Sequence, residues 1–223
     1  MSNFLRKSAG LAGLVLLVSA SQQLFATTIY DNSVHDLTNR FNPGTFQVGN
    51  EINSGMLWPT GKVSGTSGFG NLAGLINSGY NATKAVFPSA SVIVHLANGY
   101  DDATFRWFFD NLKSNGGKWD VIGMSHYPSA SNWSSLNSEA GSTMADVASR
   151  YGKSVMVCET GMPWDGPTAA QSMITDLIGR NKALGSSGLG VFYWEPEAYP
   201  GWQGYTLGAV NASGQFTAAM NAF

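Results

Sequence analysis

The chain has 223 residues, 12% of them charged and 43% hydrophobic, with a formal net charge of −2. So sparse a charge and so large an apolar fraction exclude a disordered acidic or basic tail, and no basic cluster offers a footprint for nucleic acid. The length fits one large domain or two small ones.

At the N-terminus Arg6 and Lys7 precede a short apolar run over residues 9–20. Small-residue exits follow at Val18-Ser19-Ala20 or Leu24-Phe25-Ala26. This is the pattern of a secretory leader, and the run falls short of the roughly 20 apolar residues a membrane-spanning helix needs. Residues 1–26 are therefore expected to be a signal peptide, residues 27–223 a single domain, and the mature protein secreted, with no membrane partner. Sequons at Asn81, Asn132 and Asn211 fit surface glycosylation or chance equally well in a chain rich in Asn, Ser and Thr.

Next, DNSVHDLTNRF places Val34, Leu37 and Phe41 at roughly helical spacing. Five β-type runs follow, at residues 46–51, 91–96, 121–127, 154–160 and 190–194. Their apolar residues are nearly continuous, as in strands covered on both faces of a parallel sheet. Between them lie helical patterns. Phe105, Phe108, Phe109 and Leu112 repeat at i, i+3, i+4 and i+7, with Gly116-Gly117 as the stop. In the segment 134–152, Leu136, Ala140, Val147 and Tyr151 make a less regular stripe. In TAAQSMITDLIGRNKALG, Thr168 is placed to cap a helix whose stripe is Met173, Ile174, Leu177 and Ile178. Helices alternating with strands, before the first run and after the last, predict a parallel sheet, either doubly wound or a (β/α) barrel.

The five runs end on Asn50-Glu51, His95, His126-Tyr127, Glu159 and Trp194-Glu195. In α/β folds the loops after the C-terminal strand ends gather into the binding face, so polar groups concentrated there point to a site. Two carboxylates on a rigid sheet are what glycoside hydrolysis needs: one protonates the leaving oxygen while the other attacks the sugar or activates water. Trp58, Trp164, Trp194 and Trp202 fall at or beyond the strand ends, where flat rings can stack on sugar faces; Trp107 and Trp119 read as core. His95 and His126 read as hydrogen-bond partners of a substrate or of a glutamate, because no spacing typical of a metal pair is present. Glu195 and Glu197 flank Pro196 and are either site residues or structural. Cys158, the single cysteine, leaves no internal disulfide. Strand alternation turns it away from Glu159, towards the helix layer, as a buried structural thiol.

The stretches VGNEINSGMLWPTG, VIVHLANGYD, VIGMSHYP, VMVCETGMPW and GLGVFYWEPEAY resemble, in order, successive blocks of glycoside hydrolase family 53, the arabinogalactan endo-β-1,4-galactanases. The resemblance runs from about residue 30 to the C-terminus. It implies an α/β fold, a partial (β/α)8 TIM barrel made of strands four to eight with their helices, N-terminally incomplete because strands one to three have no counterpart. It implies a retaining endo-hydrolase of β-1,4-galactosidic linkages, with Glu51 as acid/base and Glu159 as nucleophile. Asn50 matches the asparagine that bonds the sugar 2-hydroxyl, Tyr127 the aromatic beside the nucleophile, and Trp194 the floor of the −1 subsite. Trp58, His95, His126, Glu195 and Trp202 complete the expected substrate contacts. The acid/base should have a raised pKa, while hydrogen bonds from His126 and Tyr127 keep the nucleophile ionised. The expected partner is β-1,4-galactan or arabinogalactan, bound by a monomer. No cofactor or metal is expected, since the last loop, EPEAYPGWQGYTLGAV, has no acid after Glu197 for a calcium site. Alternatives are a related β-glycanase of the same clan, or a galactan-binding or non-functional fragment of such an enzyme.

Overall fold

The computed structural model describes residues 44–63 and 65–223. The expected leader and the expected helix within residues 31–41 lie outside the described residues. Five parallel strands form one sheet: β1 (Thr45–Gln47), β4 (Ser91–Leu96), β5 (Val121–His126), β6 (Ser154–Thr160) and β7 (Gly188–Tyr193), in that spatial order. Sequential order across the sheet with an α-helix between successive strands is the arrangement of consecutive (β/α) barrel units. A small antiparallel hairpin, β2 (Gly55–Met56) and β3 (Gly61–Lys62), projects from the loop after β1. The crossover helices are α1 (Gly65–Val86), α2 (Asp102–Ser114), α3 (Trp133–Tyr151) and α4 (Pro167–Lys182).

Each strand sends alternate side chains to opposite faces. Val94, Leu96, Ile122, Met124, Val155, Val157 and Val191 join the large core under the helices. Ile93, Val121, Met156 and Cys158, with Phe192 packed on them, form a smaller cluster on the other face. That inner face is tight: a Cβ on Gly123 would lie 2.6 Å from Ile93 and 2.7 Å from the Cys158 sulfur. Phe105, Phe108, Phe109 and Leu112 of α2 are fully buried, as their spacing predicts. Each contributes on the order of 1.5–3 kcal/mol relative to exposure. Asp101 caps this helix, accepting from the Thr104 backbone N–H. On its outer face Arg106 pairs with Asp102 and with Asp146 of α3, and Arg150 of α3 pairs with Asp110.

Several sequence expectations are corrected. The first strand stops at Gln47, well before Glu51, because Gly49 (φ 79°) and Glu51 (φ 48°) turn the backbone left-handed. Thr168 does not cap α4; Pro167 opens that helix after Gly166, with no side-chain cap. In α3 the polar Asn137 is buried and Leu136 only partly so, because Asn137 meets a buried group of the sheet. Past β7 the chain winds as short 3-10 turns at Trp202–Gly204 and Ala218–Ala222 rather than as an α-helix. Pro196, Pro200 and the left-handed Gly201 and Gly204 interrupt helical propagation there.

Candidate active site

A β-bulge at β6 decides which groups reach the strand-end face. Met124 pairs with Val157, but the next pair is Ser125 with Glu159, so one residue of β6 is skipped. Cys158 already points to the inner cluster, and the bulge brings Glu159 round beside it. The expectation that Cys158 faces the helices is therefore wrong, since strict alternation fails at this point. Its thiol is buried and its pKa is pushed up to about 12 by that burial, with Glu159's charge adding to the effect.

Glu159 is 7% exposed. The Tyr127 hydroxyl donates to its Oε2 at 3.1 Å. Burial raises its pKa; the Tyr127 hydrogen bond opposes this, the Glu51 charge adds to it, and contact with the Ser125 hydroxyl opposes it. The net direction is upward, against the expectation of a carboxylate kept ionised by its hydrogen bonds, because desolvation outweighs the Tyr127 donor. Burial and the charge of Glu159 push the Tyr127 hydroxyl far above its ordinary range, so it stays protonated and remains a donor.

Glu51 sits one turn beyond β1, at the start of a 3-10 turn, Ile52–Ser54. Its left-handed backbone is costly for a non-glycine residue and is typical of a position held for a purpose. A Cβ on Gly49 would lie 2.6 Å from Ile52, so the chain can enter this turn only through glycine. The Glu51 carboxylate is exposed, yet close enough for its charge to raise the proton affinity of both Glu159 and Tyr127. The structure thus brings the two glutamates to one edge of the sheet.

Asn50 Oδ1 accepts from Gln47 Nε2 at 2.9 Å and lies 3.0 Å from His95 Nδ1. His95 is fully enclosed, its Nε2 2.7 Å from Ser125 Oγ. Burial lowers its pKa to about 4, so the ring is neutral at physiological pH.

His126 goes elsewhere. It faces the helix layer, where its Nε2 lies 3.0 Å from Asn137 Oδ1 of α3. The Asn137 amide in turn donates to Met173 O and to Asp176, which is paired with Arg180. His126 is thus a core histidine on the opposite face from Ser125, as alternation along β5 requires, and it is not a partner of Glu159.

Trp194 follows β7 and is 39% exposed; its carbonyl accepts from the Tyr205 hydroxyl at 3.1 Å. Burial raises the Tyr205 pKa, and the charges of Glu159 and Glu195 act in the same direction, which places Tyr205 and the left-handed Glu195 near the same site. Trp58 stands exposed on the hairpin, its indole N–H on Ser54 O and Lys62 over its ring at 4.3 Å. Trp202 lies on a 3-10 turn, 36% exposed. Sequence reasoning missed Gln47, Ser125 and Tyr205. Ser125 carried a usable signal, being two residues from Tyr127 on a strand, whereas Tyr205 lies in a loop whose course the sequence does not specify. Among the described residues no group of three or more His, Cys, Asp or Glu could hold a metal ion.

Parallel β/α units with two carboxylates on the strand-end face are an arrangement that glycoside hydrolysis can use. Comparison with known proteins narrows this. The family model for glycosyl hydrolase family 53 matches residues 20–223, and the chain belongs to that family. It is 33% identical over 192 residues to an arabinogalactan endo-β-1,4-galactanase of Humicola insolens, covering 74% of this chain and 57% of that one. It is 31% identical over 172 residues to a probable arabinogalactan endo-β-1,4-galactanase A of Neosartorya fischeri, covering 67% of this chain and 47% of that one. A structure from a study of two fungal β-1,4-galactanases superposes with a TM-score of 0.70 at 26% identity, covering 90% of this chain and 67% of that chain. The Ignisphaera aggregans GH53 catalytic domain shares the fold, with a TM-score of 0.68 at 24% identity, covering 92% of this chain and 66% of that chain. The chain spans about half the length of these curated relatives.

Proposed function

We propose that this chain carries the catalytic half of a retaining endo-β-1,4-galactanase. The observation that supports this most strongly is the placement of Glu159, buried on β6, bonded by Tyr127 and in electrostatic contact with Glu51 on the same sheet edge. In the first step the Glu159 carboxylate attacks the anomeric carbon, forming a glycosyl ester as the glycosidic C–O bond breaks. Glu51 gives its proton to the departing oxygen. In the second step the Glu51 carboxylate takes a proton from water, the resulting hydroxyl attacks the same carbon, and Glu159 leaves as carboxylate. Asn50 holds a sugar hydroxyl, and Trp194, with Trp58 and Trp202 further out, offers ring faces for stacking. Galactan as substrate follows from the family and from the names of the relatives. Residues 1–26 act as an export leader in this reading, which N-terminal sequencing of the secreted protein tests.

The purified chain should release reducing ends from β-1,4-galactan and little or none from mannan, xylan or cellulose, and Glu159→Ala should abolish the release. Hydrolysis that survives Glu159→Ala contradicts the mechanism. Binding of galactan without release would instead identify a galactan-binding remnant.

A further inference from the structure

Between the loop that carries Asn50 and the strand that carries Glu159 runs a chain of buried polar side chains. Its centre is His95, fully enclosed and bonded at both nitrogens. A neutral imidazole has one N–H and one bare nitrogen, so one end of the ring donates and the other accepts. Asn50 Oδ1 is an acceptor that already takes an N–H from Gln47. His95 Nδ1 must therefore donate to it, and His95 Nε2 is left as the acceptor. The partner there is the Ser125 hydroxyl, at 2.7 Å. Ser125 owns a single proton, and Glu159 lies directly across from it in the β5–β6 ladder. One proton has two claimants, and His95 takes it.

We propose that His95 and Ser125 are positioning residues of this site: with Gln47 they form a directional hydrogen-bond relay that holds the Asn50 amide with its NH2 group outward and keeps the Ser125 proton away from Glu159. Two donors on Asn50 Oδ1 fix the amide, so Nδ2 faces the site ready to donate to a sugar hydroxyl. On the other side Glu159 meets a serine lone pair and keeps the Tyr127 hydroxyl as its donor. Glu51, Tyr127 and Ser125 act on Glu159, whose own charge reaches Tyr205 and the Cys158 thiol. Naming Asn50 and Glu159 as sugar-binding and nucleophilic groups rests on the proposed function; the proton positions do not.

The test is an NMR titration of the full chain, which reads the relay whether or not galactan is hydrolysed. The chain has three histidines and five glutamates, so 15N-histidine and 13C-carboxyl glutamate labels resolve individually. Glu159→Gln assigns the Glu159 signal, and His95→Phe assigns that of His95. At pH 7, His95 should show the Nδ1–H tautomer. In His95→Phe the freed Ser125 proton turns to Glu159, and the carboxyl midpoint falls by about half a pH unit or more. Adding Ser125→Ala to that variant cancels the fall. An Nε2–H tautomer in the wild type, an unchanged or raised midpoint in His95→Phe, or a fall that persists in the double variant overturns the relay. Should His95→Phe fail to fold, Ser125→Ala alone decides: Nδ1 still donates to Asn50 Oδ1, so the Nδ1–H tautomer should persist while the Nε2 signal moves to that of a bare nitrogen without a donor, and an unshifted Nε2 signal refutes the proposal. An intact relay in a chain inactive on galactan would sink the proposed function and leave the relay standing.

Discussion

Lowering the pH should unfold this protein in part through His95. The ring is fully buried, and its pKa falls from 6.5 in the unfolded chain to about 4 in the fold. At pH 7 it is neutral in both states and contributes no pH dependence. As the pH drops through 6.5 the unfolded chain takes up a proton that the folded chain refuses, and stability is lost until the folded ring also protonates near pH 4. That is some two and a half pH units at about 1.36 kcal/mol each, hence a loss on the order of 3 kcal/mol between pH 7 and 4. A cost of this size is a large share of a typical domain's 5–15 kcal/mol. His95→Gln keeps hydrogen-bonding capacity at the position without titrating. Urea unfolding of both proteins at pH 7, 5.5 and 4 should show the wild type losing about 3 kcal/mol more than the variant. His126 is also buried with a lowered pKa, but it is present in both proteins and cancels in the difference. Equal losses in wild type and variant would refute the reasoning.

Glu159→Gln should raise the melting temperature at pH 7. A carboxyl whose pKa is raised by folding stabilises the fold below its unfolded value and loses that contribution as the pH climbs through the raised one. A lower melting temperature would mean that the carboxylate is held favourably after all. The acid limb of galactan hydrolysis should have its midpoint above the ordinary glutamate value of 4.5, moving higher in Tyr127→Phe, where the opposing hydrogen bond is lost; pH–rate profiles check this. Phe108→Ala should cost about 3–5 kcal/mol in urea denaturation, because that ring is fully enclosed. The Cys158 thiol should ignore a thiol reagent in the folded protein at pH 8 and react fully once urea unfolds the chain.

Sequence patterns located β4 to β7 to within two residues of their ends and missed the hairpin strands β2 and β3, which carry no apolar run. They left α1 without limits, since GTSGFGNLAGLINSGY carries five glycines that mask a helix held by Phe69, Leu72, Ala73 and Ile76 against the core. The strand-end rule brought together Asn50, Glu51, His95, Tyr127 and Glu159. It misplaced His126 because a one-residue step along β5 reverses the face. It misplaced Cys158 because no residue pattern announces the bulge that lets Cys158 and Glu159 share one side. Directional hydrogen bonding was beyond the sequence as well: that Ser125 serves His95 follows only from which atoms meet.

Glu159 is the group proposed to bond covalently to the sugar. Incubation with an activated 2-deoxy-2-fluoro-β-galactoside, whose fluorine slows the second step, followed by peptide mass mapping, tests this directly. One added fluorogalactosyl group, carried as an ester on Glu159, is expected, and none in Glu159→Gln. A label on Glu51 or on any other residue, or no label in a folded protein that still cleaves galactan, would contradict it.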